Sequence, residues 1–246
     1  MALRNQSGTT IGAIRTAVVW DVLDAALAGP PRRILDLGGG TGGSAVRLAA
    51  DGHEVTVVDP SPDALAALAR RAGELGVTVD GRQGDVAGLV DLVGAQSADV
   101  VLCHGVLEVV DPAAALDAIR TVLRPAGLLS LLVAQRHAAV LARAMAGHFQ
   151  QARSLLAAGT AEESGGRSGA PRRRFEYGEL RDLVVDAGFA IDRTHGIRVF
   201  SDHVPASLID LEPGGPAGLV ELEREAAEQL DLLPLATQIH LLCSRS

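Results

Sequence analysis

The chain has 246 residues, of which 48% are hydrophobic and 21% charged, and its formal net charge is −8. This length and apolar content suit one α/β domain with a sizeable buried core, and they exclude a disordered or low-complexity chain. The sequence contains no apolar run of about 18 residues, so no membrane span is expected, and the acidic balance argues against a broad nucleic-acid surface.

The two cysteines, Cys103 and Cys243, lie far apart in the sequence. Two isolated cysteines predict neither a disulfide framework nor a metal cluster. Residues 1–10 lack the basic and then apolar pattern of a signal peptide. We therefore expect a cytoplasmic protein without a metal site.

From residue 33 to residue 134, short apolar runs alternate with helical segments. A helix over 11–27 precedes them, within an N-terminal helical segment 1–30. The predicted strands are 33–37, 54–59, a weaker one within 77–85, 98–105 and 128–134. The predicted helices between them are 43–52, 61–76, 86–93 and 111–127. Apolar runs without alternation are typical of strands covered on both faces, so the pattern predicts right-handed βαβ units and a parallel sheet.

The alternation stops after residue 134. Residues 135–159 predict one or two helices without a strand, and 160–174 form a polar segment rich in glycine and serine. The pattern then predicts a helix (176–188), a strand (189–200), a helix (216–230) and a last strand (237–245). We expect about seven strands in a single domain covering 1–246. Segment 136–175 is predicted to be an insertion over the carboxyl edge of the sheet, where open α/β folds bind ligands.

A glycine cluster follows the first predicted strand. Residues 36–42 read D-x-G-x-G-x-G, but Gly38, Gly40 and Gly43 also satisfy the dinucleotide spacing G-x-G-x-x-G. A phosphate-binding P-loop needs a lysine, and the chain has none. The glycines alone leave the ligand open.

Three aspartates stand at the ends of the first three predicted strands. Asp36 suits a cationic amino group, Asp59 suits ribose hydroxyls, and Asp85 suits an exocyclic adenine amine. Together they favour S-adenosylmethionine, although Asp59 serves NAD equally well. The alternatives are a helix N-terminal acid for Asp36, a turn acid before Pro60 for Asp59 and a helix cap for Asp85.

Residues 30–135 resemble the class I S-adenosylmethionine-dependent methyltransferases. Four segments carry a more specific resemblance to the tRNA 5-carboxymethoxyuridine methyltransferases. They are "RNQSGTTIGAIRTAVVWDVLD" (4–24), "LCHGVLEVVDP" (102–112), "LLSLLVAQRHAAVLARAMAGHFQQA" (128–152) and "HGIRVFSDHVP" (195–205). The resemblance implies a Rossmann-like, doubly wound, seven-stranded sheet that is mostly parallel, with an antiparallel last strand and a helical cap insertion.

The resemblance also implies which residues hold the cofactor. Arg15 would hold the methionine carboxylate, while Gly40 and Thr41 would approach the methionine part. Asp59 would bind the ribose. With Asp36 and Gly38 from the glycine turn, the full set of predicted cofactor-binding residues is Arg15, Asp36, Gly38, Gly40, Thr41, Asp59, Gly84, Asp85 and His104, with Gly84 and Asp85 at the adenine.

On the acceptor side the resemblance implies His104, beside the methyl-transfer centre, and Arg198 as catalytic residues. The acceptor in the family is a carboxylate on a modified wobble uridine of tRNA, which needs orientation but no base. A hydroxyl or amine acceptor would need one, and His104 is then the candidate base. A structural, hydrogen-bonded histidine is the other interpretation of His104.

Three other functions remain open on the sequence. They are a small-molecule O- or N-methyltransferase, an NAD-dependent oxidoreductase and a cofactor-binding scaffold without catalysis. Arg172, Arg173 and Arg174, beside Phe175 and Tyr177, suggest a phosphate-contacting patch for tRNA, or else a solvated loop.

Overall fold

The computed structural model describes residues 16–158, 172–209, 211 and 213–246, which form two compact units. The sheet unit comprises the described residues of Gly29–Val133, Gly178–Arg193 and Leu241–Ser246. The helical unit comprises those of Met1–Ala28, Ala134–Tyr177 and Thr194–His240. The single domain over 1–246 and the cap at 136–175 stay predictions.

The described residues contain the seven strands that the sequence predicts. They are β1 (Arg33–Leu37), β2 (Glu54–Asp59), β3 (Asp80–Gln83), β4 (Ala98–His104), β5 (Leu123–Ala134), β6 (Phe189–Ile197) and β7 (Gln238–Arg245). They form one sheet in the order β3-β2-β1-β4-β5-β7-β6. The Rossmann-like, seven-stranded fold is thereby confirmed.

Strand direction follows from hydrogen bonds at the strand ends. The strands β1 to β5 pair in parallel. Gln135, just after β5, donates its N–H to the carbonyl of Thr237, just before β7 (3.0 Å). Ser246, just after β7, donates to the carbonyl of Gly188, just before β6 (3.3 Å). In both pairs the end of one strand lies beside the start of the other. Strand β7 therefore runs antiparallel to its two neighbours β5 and β6, as predicted.

Helices occupy most of the remaining described chain. They are α1 (described over 16–27), α2 (Gly43–Ala50), α3 (Pro62–Leu75), α4 (Leu89–Val93), α5 (Pro112–Val122), α6 (Arg136–Met145), α7 (Phe149–Ala158), α8 (Tyr177–Asp186), α9 (Ala206–Ile209), α10 (Gly215–Ala227) and a 3₁₀ helix (Leu230–Leu235). The predicted range 61–76 matches α3 together with its two caps, because Ser61 caps it by accepting from the N–H of Ala64 (3.2 Å) and Gly76 follows its last residue. Asp111 caps α5 in the same way, accepting from Ala114 (2.8 Å).

Some predicted boundaries were wrong. Helix α5 ends at Val122 rather than at residue 127, since a proline at 125 removes a backbone donor and ends the helix. Strand β5 begins at the next residue, Leu123. Its pairing with β4 has an irregularity, because Leu123 lies opposite Ala98 but Leu128 lies opposite Val100. The third strand has only four residues. Helix α9 and the 3₁₀ helix were not predicted.

The strand order reverses between β1 and β4. The chain winds from β1 to β3 in one direction and continues from β4 to β5 in the other. Because the crossovers of parallel strands are right-handed, this reversal puts the connecting helices on opposite faces. Accordingly α2 packs against α3, and α4 packs against α5. Such a reversal opens a crevice at the carboxyl ends of the strands, where ligands of open α/β folds bind.

Candidate active site

The sequence-predicted aspartates and glycines of the sheet unit come together at one edge of the sheet. Strand β1 leads into the glycine turn 38–42, β2 ends at Asp59, β3 is followed by Gly84, and β4 ends at His104. These four strands are neighbours and run in parallel, so their carboxyl ends share one edge.

Asp59 connects the glycine turn to the neighbouring strand ends. One of its carboxylate oxygens accepts the N–H of Gly40 (2.9 Å), and the other accepts that of Ser61 (2.8 Å). Its backbone carbonyl accepts the N–H of Gly84 (3.2 Å). A carboxylate has about four acceptor positions, so these bonds leave capacity for ligand hydroxyls. Asp59 therefore also has a structural role. Its bond to Ser61 is that of the turn acid before Pro60, which the sequence offered as the alternative, whereas its bond to Gly40 was not predicted.

Asp36 lies beneath the glycine turn, and only 4% of its surface is exposed. A Cβ atom on Gly39 would lie 2.5 Å from Oδ2 of Asp36, so only glycine fits above this carboxyl. Oδ2 has no hydrogen-bond partner among the described residues. A buried acceptor without a partner is costly, and a bound cationic donor would satisfy it.

The surroundings of Asp36 also change its ionisation. Burial, and to a smaller extent the nearby charge of Asp59, raise the pKa of Asp36 to about 7. The group is therefore largely protonated at pH 6 and largely ionised at pH 8. An ammonium ligand selects the ionised form, so its binding below pH 7 must release a proton.

If Asp36 binds the ammonium group of the cofactor, as the sequence predicts, the affinity for S-adenosylhomocysteine should rise about tenfold between pH 6 and pH 8, because only the ionised carboxylate pairs with an ammonium group. Titration calorimetry in buffers of different ionisation enthalpy measures both the affinity and the released proton. Asp36→Asn should bind weakly with no such rise. A wild-type affinity that is flat across this range contradicts the assignment.

The raised pKa of Asp36 also affects stability. Wild type loses stability as the pH rises from about 4 to about 7, because Asp36 ionises more readily in the unfolded chain than in its buried site. Asparagine cannot ionise, so Asp36→Asn should unfold at a higher temperature than wild type at pH 8, as measured by thermal denaturation.

The two residues predicted to lie at the adenine, Gly84 and Asp85, have local structural roles. Oδ1 of Asp85 accepts the N–H groups of Ala87 (3.0 Å) and Gly88 (3.2 Å), which closes the turn into α4. The residue at the N-cap of α4 is Gly88, so Asp85 is not itself that cap. A Cβ atom on Gly84 would lie 2.8 Å from the side chain of Leu92, which gives this glycine a packing reason. Thr41 is exposed at the glycine turn.

His104 is held by a residue that the sequence analysis missed. Its Nε2 atom lies 2.8 Å from the hydroxyl oxygen of Ser130, which is fully buried in β5. Burial lowers the pKa of His104 to about 4, so the ring is neutral at neutral pH. Ser130 is the single polar residue in the apolar run "LLSLLV". A lone serine in a buried strand needs a hydrogen-bond partner, and that was the indication in the sequence that Ser130 could hold a site residue.

Arg198 belongs to the helical unit, and Arg15 lies outside the described residues. The backbone of Arg198 is left-handed (φ 60°), which is uncommon for a residue other than glycine. Its carbonyl accepts from the N–H (3.3 Å) and the hydroxyl (3.2 Å) of Thr237, and its guanidinium lies 3.2 Å from the carboxylate of Asp202.

A buried glutamate, also missed in the sequence, fixes the segment after Arg198. Glu223 on α10 is 1% exposed. Its carboxylate accepts the N–H groups of Val199 (2.8 Å), Phe200 (3.0 Å) and Ser201 (2.6 Å). These three bonds to one carboxylate hold the segment that follows Arg198 in one conformation.

In the described part of the chain, no group of three or more His, Cys, Asp or Glu residues is arranged to hold a metal ion. Both cysteines are buried and free, and burial raises the pKa of the Cys103 thiol. No described helix is long and apolar enough to cross a membrane.

Comparison with known proteins identifies the family. Residues 34–127 match the family described as "Methyltransferase domain". The chain is 32% identical over 244 residues to the tRNA 5-carboxymethoxyuridine methyltransferase of Escherichia coli (strain K12), covering 97% of this chain and 90% of the relative. It is 36% identical over 143 residues to a ubiquinone biosynthesis O-methyltransferase of Xanthomonas campestris pv. campestris, covering 57% and 58% of the two chains.

A solved structure shows the same fold. It is the crystal structure of a SAM-dependent methyltransferase from Methanosarcina mazei, with a TM-score of 0.60, 17% identity, and coverage of 91% of this chain and 96% of that one. These matches decide between the methyltransferase and oxidoreductase interpretations of the glycine turn. Since the E. coli relative is matched almost from end to end, the chain belongs to the family of S-adenosylmethionine-dependent methyltransferases that includes the tRNA 5-carboxymethoxyuridine methyltransferases.

Proposed function

We propose that this enzyme transfers a methyl group to the carboxylate of a modified wobble uridine in tRNA. The observation that carries the proposal is the similarity to the E. coli enzyme, which extends over 97% of this chain and so includes the segments outside the shared methyltransferase domain. In contrast, the similarity to the Xanthomonas O-methyltransferase covers 57% of the chain.

The residues at the sheet edge fit S-adenosylmethionine as the methyl donor. The unpartnered, buried oxygen of Asp36 suits its ammonium group, and Asp59 has acceptor capacity left for its ribose hydroxyls. In this proposal Gly38, Gly40 and Thr41 lie along its methionine part, and Gly84 and Asp85 lie at its adenine. When bound, the cofactor would supply a methyl group carried on a positively charged sulfur. The methyl group would pass to the acceptor oxygen by in-line displacement, with the neutral thioether as the leaving group.

The neutral ring of His104 favours a carboxylate acceptor. A base works best when its pKa lies near the operating pH, so a ring with a pKa of about 4 is poorly matched to deprotonating a hydroxyl or an amine at neutral pH. A carboxylate is already ionised and needs no base. His104, held by Ser130, then orients the acceptor through its ring and adds no charge beside a cationic cofactor.

Arg198 is the proposed contact for the acceptor carboxylate. A guanidinium matches a carboxylate in charge and shape. Glu223 and Thr237 fix the strained backbone around Arg198, and strained backbone that its surroundings hold in place is typical of functional sites. Arg15, at the methionine carboxylate, remains part of the proposal from the family resemblance.

The test is methyl transfer by the purified protein to tRNA that carries 5-carboxymethoxyuridine, with matched tRNA that lacks the carboxymethoxy group as control. We expect a methyl ester on the wobble nucleoside of the first tRNA only, identified by mass spectrometry. The same nucleoside should be lost from the tRNA of a deletion strain. If neither tRNA is methylated and neither binds in a salt-dependent manner, the tRNA proposal is wrong, and a small-molecule acceptor replaces it. The cytoplasmic location stays a prediction.

A further inference from the structure

One exposed stripe of α7 stands out in the helical unit. Phe149, Arg153 and Leu156 are spaced by four and three residues, so they lie on the same side of the helix. Phe149 is 66% exposed and Leu156 is 58% exposed, while Ala152 and Leu155 are buried on another side. We name the three exposed residues the α7 stripe. We propose that it contacts the single-stranded anticodon loop of the tRNA substrate, with Phe149 stacking on a base and Arg153 contacting a phosphate.

The charge of this part of the chain is complementary to RNA. Residues 135–158 include three arginines but no aspartate or glutamate, although the whole chain carries a net charge of −8. Arg136 pairs with Glu176, so Arg143 and Arg153 supply the positive charge of this stretch. Neither Arg143 on α6 nor Arg153 makes an ion pair with another described residue. An acid-free, cationic hairpin on an acidic protein is suited to a polyanion, because it concentrates attraction at one place.

Phe149 is the aromatic side chain best placed to stack on a base. The chain has six aromatic residues, four Phe, one Tyr and one Trp. All six are described, and only Phe149 is exposed. Phe175, beside the arginine run 172–174, is fully buried, so it cannot stack on a base, and instead the guanidinium of Arg173 lies 5.3 Å from its ring centre. Sequence-specific recognition of RNA targets unpaired bases, which stack on exposed aromatic and arginine side chains.

Polar contacts fix the hairpin that presents the stripe. Gln135 caps α6 by accepting the N–H of Ala138 (3.1 Å), and its amide donates to the carbonyl of Leu233 (3.0 Å). Arg136 pairs with Glu176 and donates to the carbonyl of Leu155 (3.2 Å), which ties α6 to α7. None of these contacts involves a residue of the α7 stripe, and all three of its residues are exposed, so substitutions there should leave the fold intact.

This inference rests on the proposed function, and kinetics of the full-length enzyme with 5-carboxymethoxyuridine tRNA test it. Phe149→Ala should raise the KM for tRNA about five- to hundredfold, as expected for a lost base–aromatic stack, and leave the KM for S-adenosylmethionine unchanged. Phe149→Trp should keep the wild-type KM, whereas Phe149→Leu should not, because a leucine keeps bulk without a ring. Arg153→Gln should make the slope of log affinity against log salt concentration shallower by about 0.7.

Matched controls are Val185→Ala, an exposed apolar residue on α8, and Arg70→Gln, an exposed arginine on α3. Both should behave as wild type. If wild type methylates tRNA and Phe149→Ala keeps the wild-type KM for tRNA, the stripe inference is wrong and the proposed function stands. If Phe149→Ala instead dissociates an oligomer without changing that KM, the stripe is a contact between copies of the chain, which also overturns the inference. If wild type does not methylate tRNA at all, the proposed function itself fails.

Discussion

Asp59→Ala should lower the affinity for S-adenosylhomocysteine at least about a hundredfold. The substitution removes the carboxylate that accepts from Gly40 and Ser61, and the proposed acceptor of the ribose hydroxyls. A hydrogen bond to a charged group contributes about 1.5–3 kcal/mol, and about 1.4 kcal/mol is a tenfold change in affinity, so the loss of two such bonds accounts for this effect. Titration calorimetry measures it directly.

A second ligand separates the two roles of Asp59. If the Asp59 carboxylate contacts the 2′- and 3′-hydroxyls, an analogue of S-adenosylhomocysteine without them should bind wild type weakly. Its affinity should then fall little further in Asp59→Ala. Equal losses for both ligands would show that Asp59 only holds the glycine turn, and an unchanged affinity would remove it from the site. Asp63→Ala, which removes an exposed acid from the first turn of α3, is the matched control and should bind normally.

Gly42→Ala should destabilise the protein by about 2–5 kcal/mol. Gly42 has a left-handed backbone (φ 76°), which costs a residue with a Cβ atom about 1–2 kcal/mol. That Cβ would also lie 2.1 Å from the side chain of Leu68, which is 1% exposed, and overpacking of a core adds about 1–3 kcal/mol. Urea denaturation followed by circular dichroism gives the free energy of unfolding.

The neighbouring glycine provides the control for this variant. Gly43 is the first residue of α2, and the nearest atom to its added Cβ would be 3.5 Å away. Gly43→Ala should therefore be neutral or slightly stabilising, since alanine is the better helix former. Leu68→Ala combined with Gly42→Ala should cost less than the sum of the two single variants. Equal stability of Gly42→Ala and Gly43→Ala would contradict the steric argument.

The best-predicted elements are those with strong local patterns. Strands β1 and β2 have the predicted boundaries, because each is a short, mostly apolar segment bounded by turn residues. Helix α3 has the predicted ends because serine, proline and glycine mark them chemically. Strand β3 was weakly predicted because it is a four-residue edge strand with no buried residue.

The sequence by itself determined the order of elements and the chemistry of the turns, since both depend on residues close together along the chain. It also indicated Asp36, Asp59 and His104 by their positions at strand ends. Only the tertiary structure decided their partners. Asp59 meets the amide of Gly40, 19 residues away, and His104 meets Ser130, 26 residues away, because neighbouring strands bring them side by side. The neutral state of His104 and the raised pKa of Asp36 likewise come from burial, which depends on how distant segments pack.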